Sequence, residues 1–346
     1  MKIYFRFDAN NKIGFAHLKR AIDLIKFLGL KKNLIFFIIK YYNQKTIKLI
    51  KDSGFKFIKI NKNYSCLQEA KSISLFLSYN DKIIFDISNI NFYKNKFIRK
   101  YFKIIYKKNK NITIIDGVFP YNIYRYIKKY FKNYYLPYYT NLKVKKVRKK
   151  NILISQNYFL LDNSFVKYRK NIKFQRKVKK VLICFGGSDP KETTIKIMKY
   201  LNSCKISSLK FNIVIGPLFT DRLIKKIRYY KKYSKLNFNL IYKPNSLSNY
   251  IKNSDIAVSS NGHLKYELIY MKIPSLFIPI NLNYAKVDKD LKKLNLGLFM
   301  QNTLSKPYFL KSFMSVLNSE KLRYKYYKNC KSFFSNHDPK KIKNLI

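Results

Sequence analysis

The strongest constraint on this chain is an alternation of strand-length apolar runs with amphipathic helical stretches. It occupies residues 2–116, breaks, and restarts at Lys180. Ile3, Phe5 and Phe7 alternate with Lys2, Tyr4 and Arg6, which predicts a strand over 2–7. Leu18, Ala21, Ile22 and Ile25 recur at i, i+3, i+4 and i+7, so a helix is expected over 17–28, stopped at Gly29. A buried strand at 34–39, a helix over 44–52 and a short strand at 55–60 follow. Ser65 and Gln68 have capping-box spacing before a helix near 65–77. A strand at 82–85 closes on Asp86, a very basic helix is read over 93–108, and a strand at 111–115 closes on Asp116-Gly117. Such alternation gives a doubly wound α/β domain with a parallel sheet, whose ligand loops stand at the carboxyl ends of the strands. Residues 8–17, Asp86 and Asp116 fall at those ends.

Residues 118–180 are less regular: Pro120 and Pro137 interrupt the period, and 167–180 reads as a charged interdomain linker with few apolar anchors. Then a strand at 181–185 runs into the turn Gly186-Gly187-Ser188. Asp189-Pro190-Lys191-Glu192 is expected to open a helix, with Asp189 as N-cap and Pro190 at the first helical position. Strands at 211–215, 238–241, 256–258 and 275–278 alternate with helices at 219–233, after Pro244, at 262–270 and at 284–294. Residues 306–346 read as helical and basic. Two α/β domains, 1–160 and 161–346, facing each other across a cleft, are the simplest architecture.

With 346 residues, 47% of them hydrophobic, the chain has ample material for two cores. No apolar window reaches the ~18 residues of a membrane span, and no secretory h-region precedes the first strand, so a cytoplasmic protein is expected. Four scattered cysteines give neither a disulfide frame nor a zinc motif, and no metal or other cofactor is expected. The net charge of +56 suggests a nucleic-acid binder. Yet Arg supplies only ten of the 73 basic residues, and Lys, Asn, Ile, Tyr and Phe are abundant together while Trp is absent. That is the signature of AT-rich codons, whereas a nucleic-acid reader favours the bidentate guanidinium. The expectation is no specific nucleic-acid partner and only weak, salt-sensitive contact with an anionic membrane surface.

Three stretches carry candidate chemistry. His17 follows Ile13-Gly14-Phe15-Ala16 at a helix mouth, where unpaired amides favour an anion and a histidine can act as a base near neutral pH; a surface or satisfied histidine is the alternative. Phe185-Gly186-Gly187-Ser188-Asp189-Pro190 permits positive φ and close approach of a phosphate to backbone, or is an ordinary strand–helix turn with a good cap. Ser259-Ser260-Asn261-Gly262 could hold a diphosphate on its amides, with Glu267 accepting ribose hydroxyls; a solvated first-turn Glu is the alternative. His263 also stands at a helix start, and His337 lies in a Lys-rich tail. Neither a catalytic triad spacing nor a GxxxxGK[ST] loop occurs.

In order, Arg6-Phe7-Asp8, Ile13-Gly14-Phe15-Ala16-His17-Leu18-Lys19-Arg20, Tyr158-Phe159-Leu160-Leu161, the Gly186-Gly187 turn, Gly262 with Tyr266-Glu267, Pro274-Ser275 and Asn283 resemble one family. It is that of the hydrolases of pseudaminic acid biosynthesis, which release UDP from UDP-2,4-diacetamido-2,4,6-trideoxy-β-L-altropyranose. That family is similar in fold to the GT-B glycosyltransferases, with two Rossmann-like domains. The resemblance runs from residue 3 to about residue 284. It implies a metal-free UDP-sugar hydrolase in which His17 activates water for inverting attack at the anomeric carbon. It further implies substrate contacts from Arg6, Asp8, Gly14, Arg20 and Asn283. UDP contacts are implied for Gly186, Gly187, Asn261 and Gly262 near the diphosphate, Glu267 at the ribose and the backbone near Leu247 at the uracil, with Ser188 and His263 also in the UDP site. A GT-B glycosyltransferase serving a membrane-associated acceptor is the alternative. The sequence departs from the family at Ala16 (usually Gly), His263-Leu264 (Ser-Thr), Tyr284 (Gln) and Asp116-Gly117 (Asp-Asp).

Overall fold

The computed structural model describes residues 1–346 apart from 11–12, 88–91, 93–94, 117–125, 137–151, 155–157, 281–284, 302–303, 339, 341 and 344–346. Asn283 and Tyr284 therefore lie outside the described residues. The chain divides into two compact units, Met1–Leu160 with His337–Ile346, and Leu161–Asn336.

The first unit runs β1 (Ile3–Phe7), α1 (Ala16–Leu28), β2 (Ile35–Ile39), α2 (Gln44–Asp52), β3 (Lys56–Lys59), α3 (Cys66–Phe76), β4 (Lys82–Asp86), α4 (Ile98–Lys108), β5 (Ile112–Ile115), β6 (Asn133–Leu136) and β7 (Ile152–Ile154). Its seven strands are all parallel, in the order β3-β2-β1-β4-β5-β6-β7. The order reverses between β1 and β4, and a ligand crevice in a sheet of this kind opens at that switch point, outside the carboxyl ends of the strands.

A central parallel strand is covered on both faces, and β1 is buried at all five positions. Phe5 and Phe7 pack with Leu18, Ala21 and Ile50 on one side. Tyr4 and Arg6 must then enter the opposite layer, so the alternation that reads as half-exposed carries a guanidinium into the interior. Helix α1 ends at Gly29, whose N–H closes on Ile25 and Lys26 carbonyls. The Ser65/Gln68 capping box forms at α3.

Three expectations need correction here. Helix α4 starts at Ile98, after a turn over 95–97 in which Ile98 N–H bonds Asn95 O, so those three residues of the expected helix are not helical. Two short strands, β6 and β7, occupy the irregular region and extend the sheet. The terminal residues belong to the first unit and not to a second domain of 161–346. Ile342 is fully buried in the first core, and His337 Nε2 lies 2.6 Å from the carbonyl of Phe159.

The second unit runs α5 (Asn163–Arg169), β8 (Lys180–Cys184), α6 (Thr193–Leu201), β9 (Lys210–Ile215), α7 (Asp221–Lys232), β10 (Asn237–Tyr242), α8 (Ser248–Lys252), β11 (Ile256–Ser260), α9 (Leu264–Tyr270), β12 (Ser275–Ile278), α10 (Ala285–Lys293), β13 (Leu298–Phe299), α11 (Lys306–Asn318) and α12 (Glu320–Phe333). Six parallel strands lie in the order β10-β9-β8-β11-β12-β13, so the switch point falls between β8 and β11. The first three residues of the expected linker, 167–169, are the last of helix α5, which is capped by the Asp162 side chain on Ser164 N–H. No helix among the described residues is long and apolar enough to cross a membrane.

Candidate active site

The first unit builds its site where β1 and β4 end. Helical spacing places His17 and Arg20, three residues apart, on one face of α1. Asp86 closes β4 beside Phe7. His17 Nδ1 lies 2.8 Å from Asp86 Oδ1. Arg20 straddles the same carboxylate, Nε 2.7 Å from Oδ2 and Nη2 2.7 Å from Oδ1. Side-chain exposures are 11% for His17, 3% for Arg20 and 1% for Asp86.

The tautomer follows from this network. Nδ1 stands 2.8 Å from Asp86 Oδ1 and 3.1 Å from Arg20 Nη2, which already donates to the carboxylate; a proton on Nδ1 donates along the shorter contact to Asp86. The lone pair then sits on Nε2. Burial pushes the Asp86 carboxyl up, but Arg20 and His17 more than offset this and hold it at about 2. An ionised carboxylate thus orients an imidazole whose Nε2 can accept a proton, the arrangement a general base requires.

Under this pair lies a second buried network. Arg6 donates from Nε to Glu69 Oε1 at 2.9 Å and from Nη1 to Asp8 Oδ1 at 2.7 Å. Asp8 Oδ1 also accepts from the backbone N–H groups of Lys40 (3.1 Å) and Tyr41 (2.9 Å). Glu69 further takes the Tyr101 hydroxyl and the Lys40 ammonium, each at 3.1 Å. Burial opposes the charge on Arg6, yet Asp8 and Glu69 outweigh it and raise its pKa. Burial likewise opposes ionisation of Asp8, and Arg6 overrides it to leave the carboxyl below its ordinary value. Arg6 is 1% exposed and Asp8 8%. Their mutual bonds and the two backbone N–H groups fix the loop after β1. Gly14 sits in that loop at φ 84°, its N–H 2.7 Å from Asn10 O.

In the second unit the Gly186-Gly187 turn is packed backbone on backbone. Gly186 has φ 81°. Gly216, just after β9, faces the turn so closely that a Cβ there would come 2.4 Å from Gly187 O and 2.5 Å from Gly186 O. Sequence reasoning missed Gly216, whose one signal is a glycine directly after a buried strand. The helix that follows starts at Thr193, not at Pro190. Asp189 turns back at φ 39°, and its carboxylate accepts from the N–H groups of Thr193 (2.8 Å) and Thr194 (2.7 Å). The helix-start amides are therefore already occupied by the protein's own anion. What the turn presents is residues 186–188, with Gly187 exposed.

At the turn after β11, Asn261 is 2% exposed and braces the loop. It donates from Nδ2 to Asp288 Oδ2 at 2.7 Å and accepts from Ile280 N–H at 3.2 Å. The second oxygen of Asp288 takes Lys265 Nζ at 2.6 Å. Burial lowers the Lys265 pKa, and Asp288 draws it part of the way back. Lys265 and Asp288 were not legible as site residues; the hint is a lysine on α9, a helix buried along its whole length. Gly262 and His263 continue the turn, with His263 Nε2 3.9 Å from Glu267 Oε1. Leu247 precedes α8, and its carbonyl accepts from Ile251 N–H at 2.9 Å. The structure thus gathers residues 186–188, 261–263 and Glu267 around the β8/β11 switch point. Among the described residues no cluster of His, Cys, Asp and Glu could hold a metal ion.

No protein-family model matches the chain. It is 28% identical over 319 residues to an uncharacterised protein of Methanocaldococcus jannaschii, a match covering 90% of this chain and 62% of that one. The chain thus spans about three-fifths of that relative. It is 24% identical over 123 residues to the spore coat polysaccharide biosynthesis protein SpsG of Bacillus subtilis, 35% of each chain. Among solved structures it is similar to MurG of Acinetobacter baumannii, with TM-score 0.65, 10% identity and coverage of 100% and 99%. It is also similar to Anabaena HepE in complex with UDP, with TM-score 0.58, 9% identity and coverage of 99% and 98%. UDP-GlcNAc 2-epimerase of Neisseria meningitidis bound to UDP-GlcNAc gives TM-score 0.58, 13% identity and coverage of 100% and 99%. The fold is therefore that of the GT-B glycosyltransferase and UDP-sugar epimerase structures, two Rossmann-like units each with a parallel sheet.

Proposed function

We propose that this chain is a UDP-sugar enzyme of glycan biosynthesis that breaks the bond between the anomeric carbon and UDP. The observation that carries the reading is the His17–Asp86 pair at the switch point of the first sheet. As a hydroxyl attacks the anomeric carbon, His17 Nε2 takes its proton, the C–O bond to the diphosphate breaks, and UDP leaves with the electron pair. Attack opposite the leaving group inverts the anomeric centre. Asp86, accepting from Nδ1, holds the ring in the tautomer that leaves the lone pair on Nε2. In the second unit, the backbone of residues 186–188 and of Asn261-Gly262-His263 contributes donors to the diphosphate, where negative charge grows. Glu267 takes the ribose hydroxyls and the backbone at Leu247 meets the uracil.

Transfer to a sugar or lipid hydroxyl is the reading that the relatives favour. They include a glycosyltransferase of lipopolysaccharide biosynthesis with TM-score 0.52 and the SpsG protein named for polysaccharide biosynthesis. Hydrolysis, with water as the attacking hydroxyl, is the second reading, supported by the ordered motifs from Arg6 to Asn283. Purified protein, UDP-sugars and a UDP-release assay with and without hydroxyl acceptors separate the two: transfer needs the acceptor and hydrolysis does not. His17→Gln should lower turnover by about 10²- to 10⁴-fold while UDP binding persists. Normal turnover in that variant would refute the role of His17.

A further inference from the structure

We infer that Arg20 is a positioning residue that keeps His17 neutral, by cancelling the charge of Asp86 and setting its own charge against the imidazole. The inference rests on the general-base reading above. A carboxylate alone beside a histidine favours the imidazolium, because the pair is uncharged only when the ring is protonated. A protonated ring has no lone pair to offer, so a bare carboxylate would work against a base at neutral pH.

Arg20 reverses that balance. Its two contacts of 2.7 Å go to different oxygens of Asp86, the bidentate fit of guanidinium to carboxylate. That pair is neutral by itself. Protonating His17 at Nε2 would leave the buried trio with a net positive charge, with Nδ1 of the charged ring 3.1 Å from the guanidinium Nη2 of Arg20. With all three side chains at most 11% exposed, water screens little of this. Among the described residues, the charged groups facing His17 are Asp86 from β4 and Arg20 from α1 itself. At the same end of the sheet, Asp8 is tied to Arg6 and Asp116 accepts from the Tyr134 hydroxyl. Lys19, next along α1, turns outward to Asp23.

Arg20 thus takes a role other than the substrate contact the resemblance implies. Because it acts through His17, its signature is a change in protonation and not only a loss of rate.

Nitrogen NMR of histidine-labelled full-length protein reads that protonation directly, with His17→Gln identifying the signals of His17 among the three histidines. At neutral pH the wild type should show the neutral Nδ1–H form, and an imidazolium there overturns the inference without any variant. In Arg20→Gln the ratio of protonated to neutral His17 should rise roughly tenfold or more. Arg20→Lys keeps the charge and should restore most of the wild-type ratio. An unchanged ratio in Arg20→Gln, or a ratio in Arg20→Lys equal to that of Arg20→Gln, overturns the inference. In the UDP-release assay, Arg20→Gln should lose turnover at neutral pH and regain it as pH rises, whereas a merely structural defect lowers turnover at every pH. The spectra need no substrate. A protein that cleaved no UDP-sugar would still reveal the role of Arg20. Unchanged spectra alongside His17-dependent cleavage would defeat the Arg20 inference and leave the proposed function standing.

Discussion

Replacing Asp86 by asparagine keeps the shape and removes one buried charge. In the native protein burial pushes this carboxyl up, and Arg20 and His17 pull it further down, from 3.8 to about 2. A carboxyl depressed in the folded state stabilises the fold above its unfolded pKa and loses that contribution as pH falls through the folded value. At 1.36 kcal/mol per pH unit, the drop from 3.8 to about 2 is worth about 2 kcal/mol. The contribution is complete above about pH 5 and gone below about pH 2. Asp86→Asn lacks it throughout and also leaves Arg20 buried without a carboxylate, a loss of about 3–5 kcal/mol in all when one partner of a buried pair is removed. The wild type should therefore exceed the variant by that amount near neutral pH, and the gap should narrow by about 2 kcal/mol towards pH 2. With two units, one global unfolding free energy is poorly defined. Peptide-resolved hydrogen exchange over β1 and β4, in rising urea at several pH values, measures the relevant stability. A gap that stays constant or widens on acidification would refute the reasoning.

Three other substitutions test the second unit. Gly216→Ala drives a Cβ to 2.4 Å from a backbone oxygen that cannot rotate away; it should cost about 1–3 kcal/mol, seen as faster exchange in β8 and β9, with weaker UDP binding by calorimetry. Asp189→Ala strips the Thr193 and Thr194 amides of their acceptor and should destabilise α6 by about 1 kcal/mol, measured by exchange in that helix. Lys265→Met alone strands Asp288 and should cost about 3–5 kcal/mol, whereas Lys265→Met with Asp288→Asn, which removes the charge and keeps an acceptor for Asn261 Nδ2, should recover part of it; urea unfolding of the four proteins of the cycle gives the coupling.

The sheets were legible because strands buried on both faces read as continuous apolar runs, as in the Ile35–Ile39 strand. Helices α1 and α3 were legible from their apolar stripe and caps. Strands β6 and β7 were not, since four and three residues set among Tyr and Lys cannot establish a period. At the site, His17 was legible from its place at a helix mouth, and Asp86 as an acid at a strand end. Their pairing was not, because 69 residues separate them and only the parallel register of β1 and β4 joins them. The same holds for Arg6 with Glu69, 63 residues apart. At α6 the capping pattern was read correctly as chemistry but three residues early. Asp189 and Glu192 adopt left-handed backbone, which spends residues 190–192 on a turn before the helix begins.

The distribution of acids says more about this chain than its net charge. Of its 17 acidic residues nine are buried: Asp8, Glu69, Asp81, Asp86, Asp116, Asp189, Glu267, Asp288 and Asp290. Of the 73 Lys and Arg residues, six are buried among those described: Arg6, Arg20, Lys40, Lys265, Lys272 and Arg323. An exposed acid exchanged for lysine changes stability by only about 0.5 kcal/mol either way, so a codon bias can rewrite the surface freely. A buried acid resists, because its cationic or amide partner would be left unpaired inside. Six of the nine stand at or after the carboxyl ends of strands. Asp86 closes β4, Asp8 and Asp116 succeed β1 and β5, Asp189 lies between β8 and α6, and Glu267 and Asp288 lie on the helices after β11 and β12. A chain selected for a polyanion would concentrate cations where its ligand sits. This one keeps acids at the switch points of both sheets, where they hold His17, the start of α6 and the Asn261 turn in place, and carries its positive charge predominantly on exposed lysines that salt would screen.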